Sequence, residues 1–70
     1  MLMKSKLREF RIRQKLTQRK LAKDVRVARQ TIVAIEKGHY NPSLEMAFRL
    51  ARYFGVPIEE LFTYQPSEIE

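Results

Sequence analysis

Apolar residues recur along this chain at intervals of three and four and never in sustained alternation, a spacing that predicts five short helices and no strands. The first helix is expected from about Ser5 to Lys15. Leu7 and Phe10 mark its inner stripe, continued by Gln14 or Leu16, and the Ser5 hydroxyl is placed to cap its start. Lys6, Arg8, Arg13 and Lys15 fall off the stripe, whereas Arg11 lies at its border and needs a partner if it is even partly buried. Thr17 caps a second helix from Gln18 to about Val25, with Leu21, Ala22 and Val25 inward; Lys20 stands where a capping-box acid would complete the cap. After a turn at Arg26 and Val27, a third helix runs from Arg29 to Lys37 and ends at Gly38. Pro42 bars a helix through the next loop. Ser43 then caps a fourth helix, Leu44 to Phe54, whose core stripe is Leu44, Ala47, Leu50, Ala51 and Phe54. Gly55 stops it, and Pro57 opens a short fifth helix over Ile58 to Phe62. Residues 1–62 thus form one domain, and Thr63 to Glu70 are expected to be a loose tail, flexible or contributing to dimerisation.

Thr17 to Gly38 is the stretch around which the rest is arranged. In the third helix Ile32 and Ile35 face one way, while Arg29, Gln30, Val33 and Ala34 face the other. Charge sharpens the picture. Residues 1–37 hold twelve Lys and Arg against three acids, a balance of +9, and residues 38–70 hold two Arg against five acids, a balance of −3. One end of the domain therefore suits a polyanion. A solvated Lys/Arg-rich surface accounts for the charge alone equally well.

The inventory for catalysis is thin. The chain has no cysteine and one histidine, His39, which falls in a loop. Its two glycines sit at helix ends, so no phosphate-cradling loop exists, and Glu59 and Glu60 are adjacent on a helix and point apart. Neither an enzyme, nor a metal or other cofactor, nor a small-molecule ligand is expected. No apolar run approaches the roughly 18 residues of a membrane span, and the N-terminus has no signal-peptide core; a cytoplasmic protein without a membrane partner is expected.

Three segments, LTQRKLA, VARQTIVAIEKG and NPSLEMAFRLARYFGV, occur in an order and spacing that resemble the Cro/cI-type (XRE-like) helix-turn-helix family of transcriptional regulators. The resemblance covers about residues 7–62. It implies an all-α, compact five-helix bundle, a lambda-repressor-like DNA-binding domain, with the third helix in the major groove of double-stranded DNA. By position it implies base reading by Arg29 and Gln30, which suit guanine and adenine edges respectively. Val33 and Ala34 are then either apolar contacts to thymine methyls or short residues that let the helix sit deep. Gln18, Arg19, Thr31, Lys37, Tyr40 and Asn41 take the place of backbone contacts, although Gln18 can equally be a solvated first-turn residue and Tyr40 a packing residue. Arg11 and Glu36 match a structural ion pair. The family commonly has glycine at Arg26, a hydroxyl cap at Ala28 and an acid at Lys20, so the local turn is where this chain departs from it.

The function expected is sequence-specific DNA binding by a regulator, a repressor acting as a homodimer on a near-palindromic operator. The alternatives are a helix-turn-helix protein-interaction module and a nonspecific nucleic-acid binder, with an antitoxin-type role included. Candidate apolar residues for a dimer surface are Phe48, Tyr53, Phe62, Tyr64 and Ile69.

Overall fold

A computed structural model describes residues 2–65. In chain order its elements are β1 (Leu2–Ser5), α1 (Leu7–Arg13), α2 (Gln18–Val25), α3 (Arg29–Lys37), α4 (Leu44–Phe54), α5 (Ile58–Leu61) and β2 (Phe62–Gln65). The bounds of α2, α3 and α4 are those the periodicity predicts. Thr17 and Ser43 act as the expected caps, their hydroxyls accepting from the amides of Lys20 and Met46.

The two strands correct the expectation of an all-helical chain. β1 and β2 pair antiparallel, with Leu2 opposite Gln65 and Ser5 opposite Phe62, and the Lys6 amide adds a bond of 2.8 Å to the Leu61 carbonyl. Four residues are too few to show alternation, and the pairing joins segments nearly sixty positions apart, so no local pattern announces it. Thr63 to Gln65 are therefore strand rather than loose tail. The same ribbon ends α5 at Leu61, because Phe62 has turned to extended backbone. Ser5 belongs to β1 and is not a helix N-cap, although its Oγ still accepts from the Leu7 amide at 3.1 Å. Residues 66–70, Ile69 included, lie outside the described residues.

The core gathers one face of every helix. Leu7, Leu21, Ile32, Ile35, Leu50 and Leu61 are fully enclosed, with Ala22, Val25, Ala47, Ala51, Phe54 and Phe62 around them. Phe10 packs at the margin, its ring 5.8 Å from that of Phe54. Leu44 departs from the expected stripe and is 71% exposed: it begins α4, and the four-residue α5 is too short to cover it.

Side-chain bonds lock α4 onto α2. The Arg49 guanidinium donates to the Val25 carbonyl at 3.0 Å, satisfying an orphan group at the end of α2, and also reaches Glu45 at 2.7 Å. The Tyr53 hydroxyl donates to Asp24 at 2.7 Å. That bond, with help from Lys20, holds the Asp24 carboxyl below the usual carboxylate range and pushes the Tyr53 phenol up.

Helix ends supply the clearest local strain. Gly38 and Gly55 take positive φ at the ends of α3 and α4, where that backbone costs glycine little. Lys15 (φ 57°) and Arg26 (φ 61°) take it after α1 and α2 with full side chains. A left-handed residue other than glycine costs about 1–2 kcal/mol. Arg26→Gly is accordingly expected to raise stability by about 1 kcal/mol, after the extra chain entropy of glycine is deducted. Urea unfolding followed by circular dichroism checks this; a lowered midpoint would show that the Arg26 side chain contributes more than its backbone costs.

Candidate nucleic-acid interface

α2 and α3 form a helix-turn-helix because the chain reverses in three residues. Arg26 in the left-handed region directs its amide to the Lys23 carbonyl, and the Val27 amide closes on Ala22 at 3.0 Å. Ala28 then lies in extended backbone as the N-cap of α3, and its side chain offers no capping oxygen. The missing cap was legible in the sequence. α3 is held instead by burial of Ile32 and Ile35.

On the outward side of α3 the spacing is matched at Arg29 and Gln30 and only in part at Val33 and Ala34. Arg29 and Gln30 are exposed, while Thr31, Val33 and Ala34 are half-buried. Short residues after an exposed Arg-Gln pair give a helix surface shallow enough for close approach to another body. Lys37, Tyr40 and Asn41 are exposed at and beyond the far end, and Arg19 is exposed on α2. The His39 amide donates to the Ala34 carbonyl, so that residue extends the C-terminal closure of α3.

Beneath this surface runs a chain of polar contacts. Arg11 Nε donates to Glu36 Oε2 at 2.6 Å and its Nη2 to Oε1 at 3.2 Å, a forked pair whose side chains are only 12% and 4% exposed. The remaining Arg11 nitrogen donates to the Leu16 carbonyl at 2.7 Å. Gln18 Nε2 donates to the same Glu36 carboxylate at 3.1 Å, and Gln18 Oε1 accepts from Arg29 Nη2 at 3.3 Å. Only this orientation of the Gln18 amide serves both neighbours, since the carboxylate needs a donor and the guanidinium an acceptor. Arg29 is thus tied through Gln18 and Glu36 to Arg11 on α1.

The Arg11–Glu36 pair was expected from the resemblance; the continuation to Arg29 was not. Gln18 was assigned there to the phosphate backbone, and its amide is engaged inside the protein as well. Side-chain identity gives no signal for such a bridge, because it depends on how α2 and α3 cross.

One further residue was missed. Arg8 is exposed and, with Lys37, flanks an open cleft of about 370 Å³ whose walls include Gln18 and Val33. It stands three positions before Arg11, so helical spacing alone places it on the same side of α1. Setting it aside as an off-stripe cation hid that. Among the described residues no three His, Cys, Asp or Glu gather where they could hold a metal ion, and no helix is long and apolar enough to cross a membrane.

Comparison with known proteins agrees with this geometry. A helix-turn-helix family model matches residues 7–61. An uncharacterised HTH-type transcriptional regulator of Methanocaldococcus jannaschii is 54% identical over 66 residues, covering 94% of this chain and all of that protein. One from Archaeoglobus fulgidus is 49% identical over 67 residues, 96% of each chain. The transcriptional repressor RstR of the cryptic phage CTXphi, from Vibrio cholerae, is 38% identical over 66 residues, which is 94% of this chain and 60% of that one.

Because the Arg11–Glu36 pair is nearly enclosed, removing one member leaves a charge without its counterpart. Glu36→Ala is expected to cost about 3–5 kcal/mol, and Arg11→Met combined with Glu36→Leu to recover most of that loss. Thermal unfolding of the single and double variants decides the matter; a loss under about 1 kcal/mol for Glu36→Ala would mean that the pair behaves as an exposed surface bridge.

Proposed function

The chain belongs to the Cro/cI-type helix-turn-helix family of transcriptional regulators, and from that premise we propose that it binds double-stranded DNA sequence-specifically. In this reading it is a repressor and acts as a homodimer on a near-palindromic operator. One observation carries the proposal: the exposed first turn of α3 presents Arg29, whose guanidinium donates to Gln18 and is linked through it to the largely enclosed Glu36 side chain.

The mechanism follows from the donor and acceptor patterns of base edges. α3 enters the major groove, where Arg29 donates two bonds to guanine O6 and N7 and Gln30 pairs with adenine N6 and N7. Val33 and Ala34, one turn on, meet the groove floor, with a thymine methyl as their natural contact. A guanidinium held in place before binding loses less side-chain entropy when it meets its base. Arg8, Arg19, Thr31, Lys37 and the loop residues Tyr40 and Asn41 contact the sugar-phosphate backbone and set the register without naming bases. Gln18 serves both parts, donating to Glu36 and exposing its helix-start amides to a phosphate. In a dimer, two α3 helices read half-sites about 34 Å apart, one turn of the duplex. A role on DNA within the cell makes the cytoplasm its compartment.

The charge distribution also favours a second reading, nonspecific binding of nucleic acid by the +9 segment 1–37. Selection of bound duplexes from a random pool at physiological salt separates the two. The regulator reading expects an enriched motif with two related halves; a steep salt dependence without any motif would leave only nonspecific binding. On the selected site, Arg29→Ala is expected to weaken binding about 10- to 100-fold and relax preference at one base pair. Lys37→Ala is expected to weaken all sequences alike and to lower the salt slope by about 0.9. Equal effects of the two substitutions on every sequence would remove Arg29 from the reading role.

A further inference from the structure

Arg26 holds left-handed backbone at the end of α2, a conformation that costs a residue with a full side chain. Its guanidinium offsets none of that cost inside the protein: among the described residues it makes no ion pair and no side-chain hydrogen bond. Uncompensated backbone strain of this kind gathers at functional sites. Arg26 also lines an open cleft of about 460 Å³, together with Asp24, Val25, Arg49, Arg52 and Tyr53.

The charges of that wall do not cancel. Its one acid, Asp24, has both oxygens engaged, Oδ1 by Lys20 at 3.1 Å and Oδ2 by the Tyr53 hydroxyl at 2.7 Å. Arg49 is held by the Val25 carbonyl and by Glu45. Arg52 stands one helical turn beyond it on α4, exposed and, like Arg26, without a side-chain partner among the described residues. Two guanidiniums without a counter-charge thus border the cleft, with a third fixed beside them.

We propose that this cleft receives an acidic segment of another protein, with carboxylates taken by Arg26 and Arg52 and an apolar side chain laid against Val25 and the Tyr53 ring. A guanidinium fork fits a carboxylate and a phosphate alike, so charge alone does not choose the ligand. The apolar part of the wall does. Val25 and the half-buried Tyr53 lie among the cations, and a sugar-phosphate backbone has little apolar surface to place there. A free anion fills little of the volume, and an open cleft does not enclose it as small-ligand sites do. A peptide needs only one of its sides covered. Position separates the cleft from the reading surface as well. It lies at the opposite end of α2 from Gln18, eight residues or about 12 Å along the helix. None of the base-reading or backbone-contacting residues belongs to α4. The partner therefore leaves Arg29 and Gln30 accessible, and the inference does not depend on the DNA-binding reading.

The test is fluorescence anisotropy of a labelled peptide of alternating glutamate and leucine titrated with the full chain, with circular dichroism melting as a control for folding. Saturable binding is expected, weakened when glycine replaces the leucines and lost when glutamine replaces the glutamates. Arg52→Gln is expected to weaken binding about tenfold with an unchanged melting temperature. Arg26→Gly is expected to weaken it by a similar factor in a chain that stays folded. Lys4→Gln removes the same charge from β1 and is expected to bind as the wild type does. Absence of saturable binding overturns the proposal, as does an equal loss from Lys4→Gln and Arg52→Gln, which would reduce the effect to net charge. Displacement of the peptide by inorganic phosphate at a matching concentration would make the cleft a site for free anions. If Arg52→Gln weakened binding of duplex DNA by the same factor as binding of the peptide, the cleft would belong to the nucleic-acid surface. Either result overturns the assignment to a protein partner.

Discussion

The interaction on which the rest depends is the enclosed pair of Arg11 and Glu36. Three donors converge on one carboxylate, two from Arg11 and one from Gln18. Both oxygens of the carboxylate are engaged by these donors, so the positions of α1, the start of α2 and the last turn of α3 become conditions on one another. The apolar core allows some sliding of helices, because Leu and Ile side chains tolerate small shifts. A forked guanidinium–carboxylate contact tolerates much less. Arg29 is the outermost group fixed by this arrangement.

That constraint explains why α3 can do without ordinary local support. Ala28 gives α3 no cap, and Arg26 takes a backbone conformation that favours glycine. Either feature weakens an isolated helix by about 1 kcal/mol or more. In this fold α3 is secured from behind, by Ile32 and Ile35 in the core and Glu36 in the polar network. Its first turn stays free of capping side chains and keeps its outward surface clear. Arg49 supplies the corresponding support at the end of α2, taking the Val25 carbonyl that the strained turn leaves over.

How much of this was legible in sequence depends on whether a feature is local. The helix-turn-helix was, because capping residues, 3.6-residue periodicity and turn residues all act within a few positions, and α2, α3 and α4 have the expected bounds. Exposure of Arg29 and Gln30 and burial of Ile32 and Ile35 followed from the same spacing. The terminal ribbon was hidden because its two strands are short and pair across almost the whole chain. Leu44 was misjudged because periodicity assigns a face to a residue but cannot say that the neighbouring helix ends too soon to cover it. Of the proposed dimer residues, Phe62 is buried and Tyr53 is bound to Asp24, while Phe48 is exposed. Sequence marked all three as aromatic; only packing separates them. The Gln18 bridge to Arg29 was hidden for the same reason, being set by a helix crossing.

The central claim is that a preset Arg29 reads a base edge. Its most direct measurement is a coupling free energy between Arg29 and the N7 atom of a guanine in the selected site, from binding of wild type and Arg29→Ala to duplexes with guanine or 7-deazaguanine there. The expected result is a coupling of about 1 kcal/mol or more at one guanine in each half-site and none at the others. A coupling near zero at every guanine would contradict it, and would leave Arg29 as one more cation facing the phosphates.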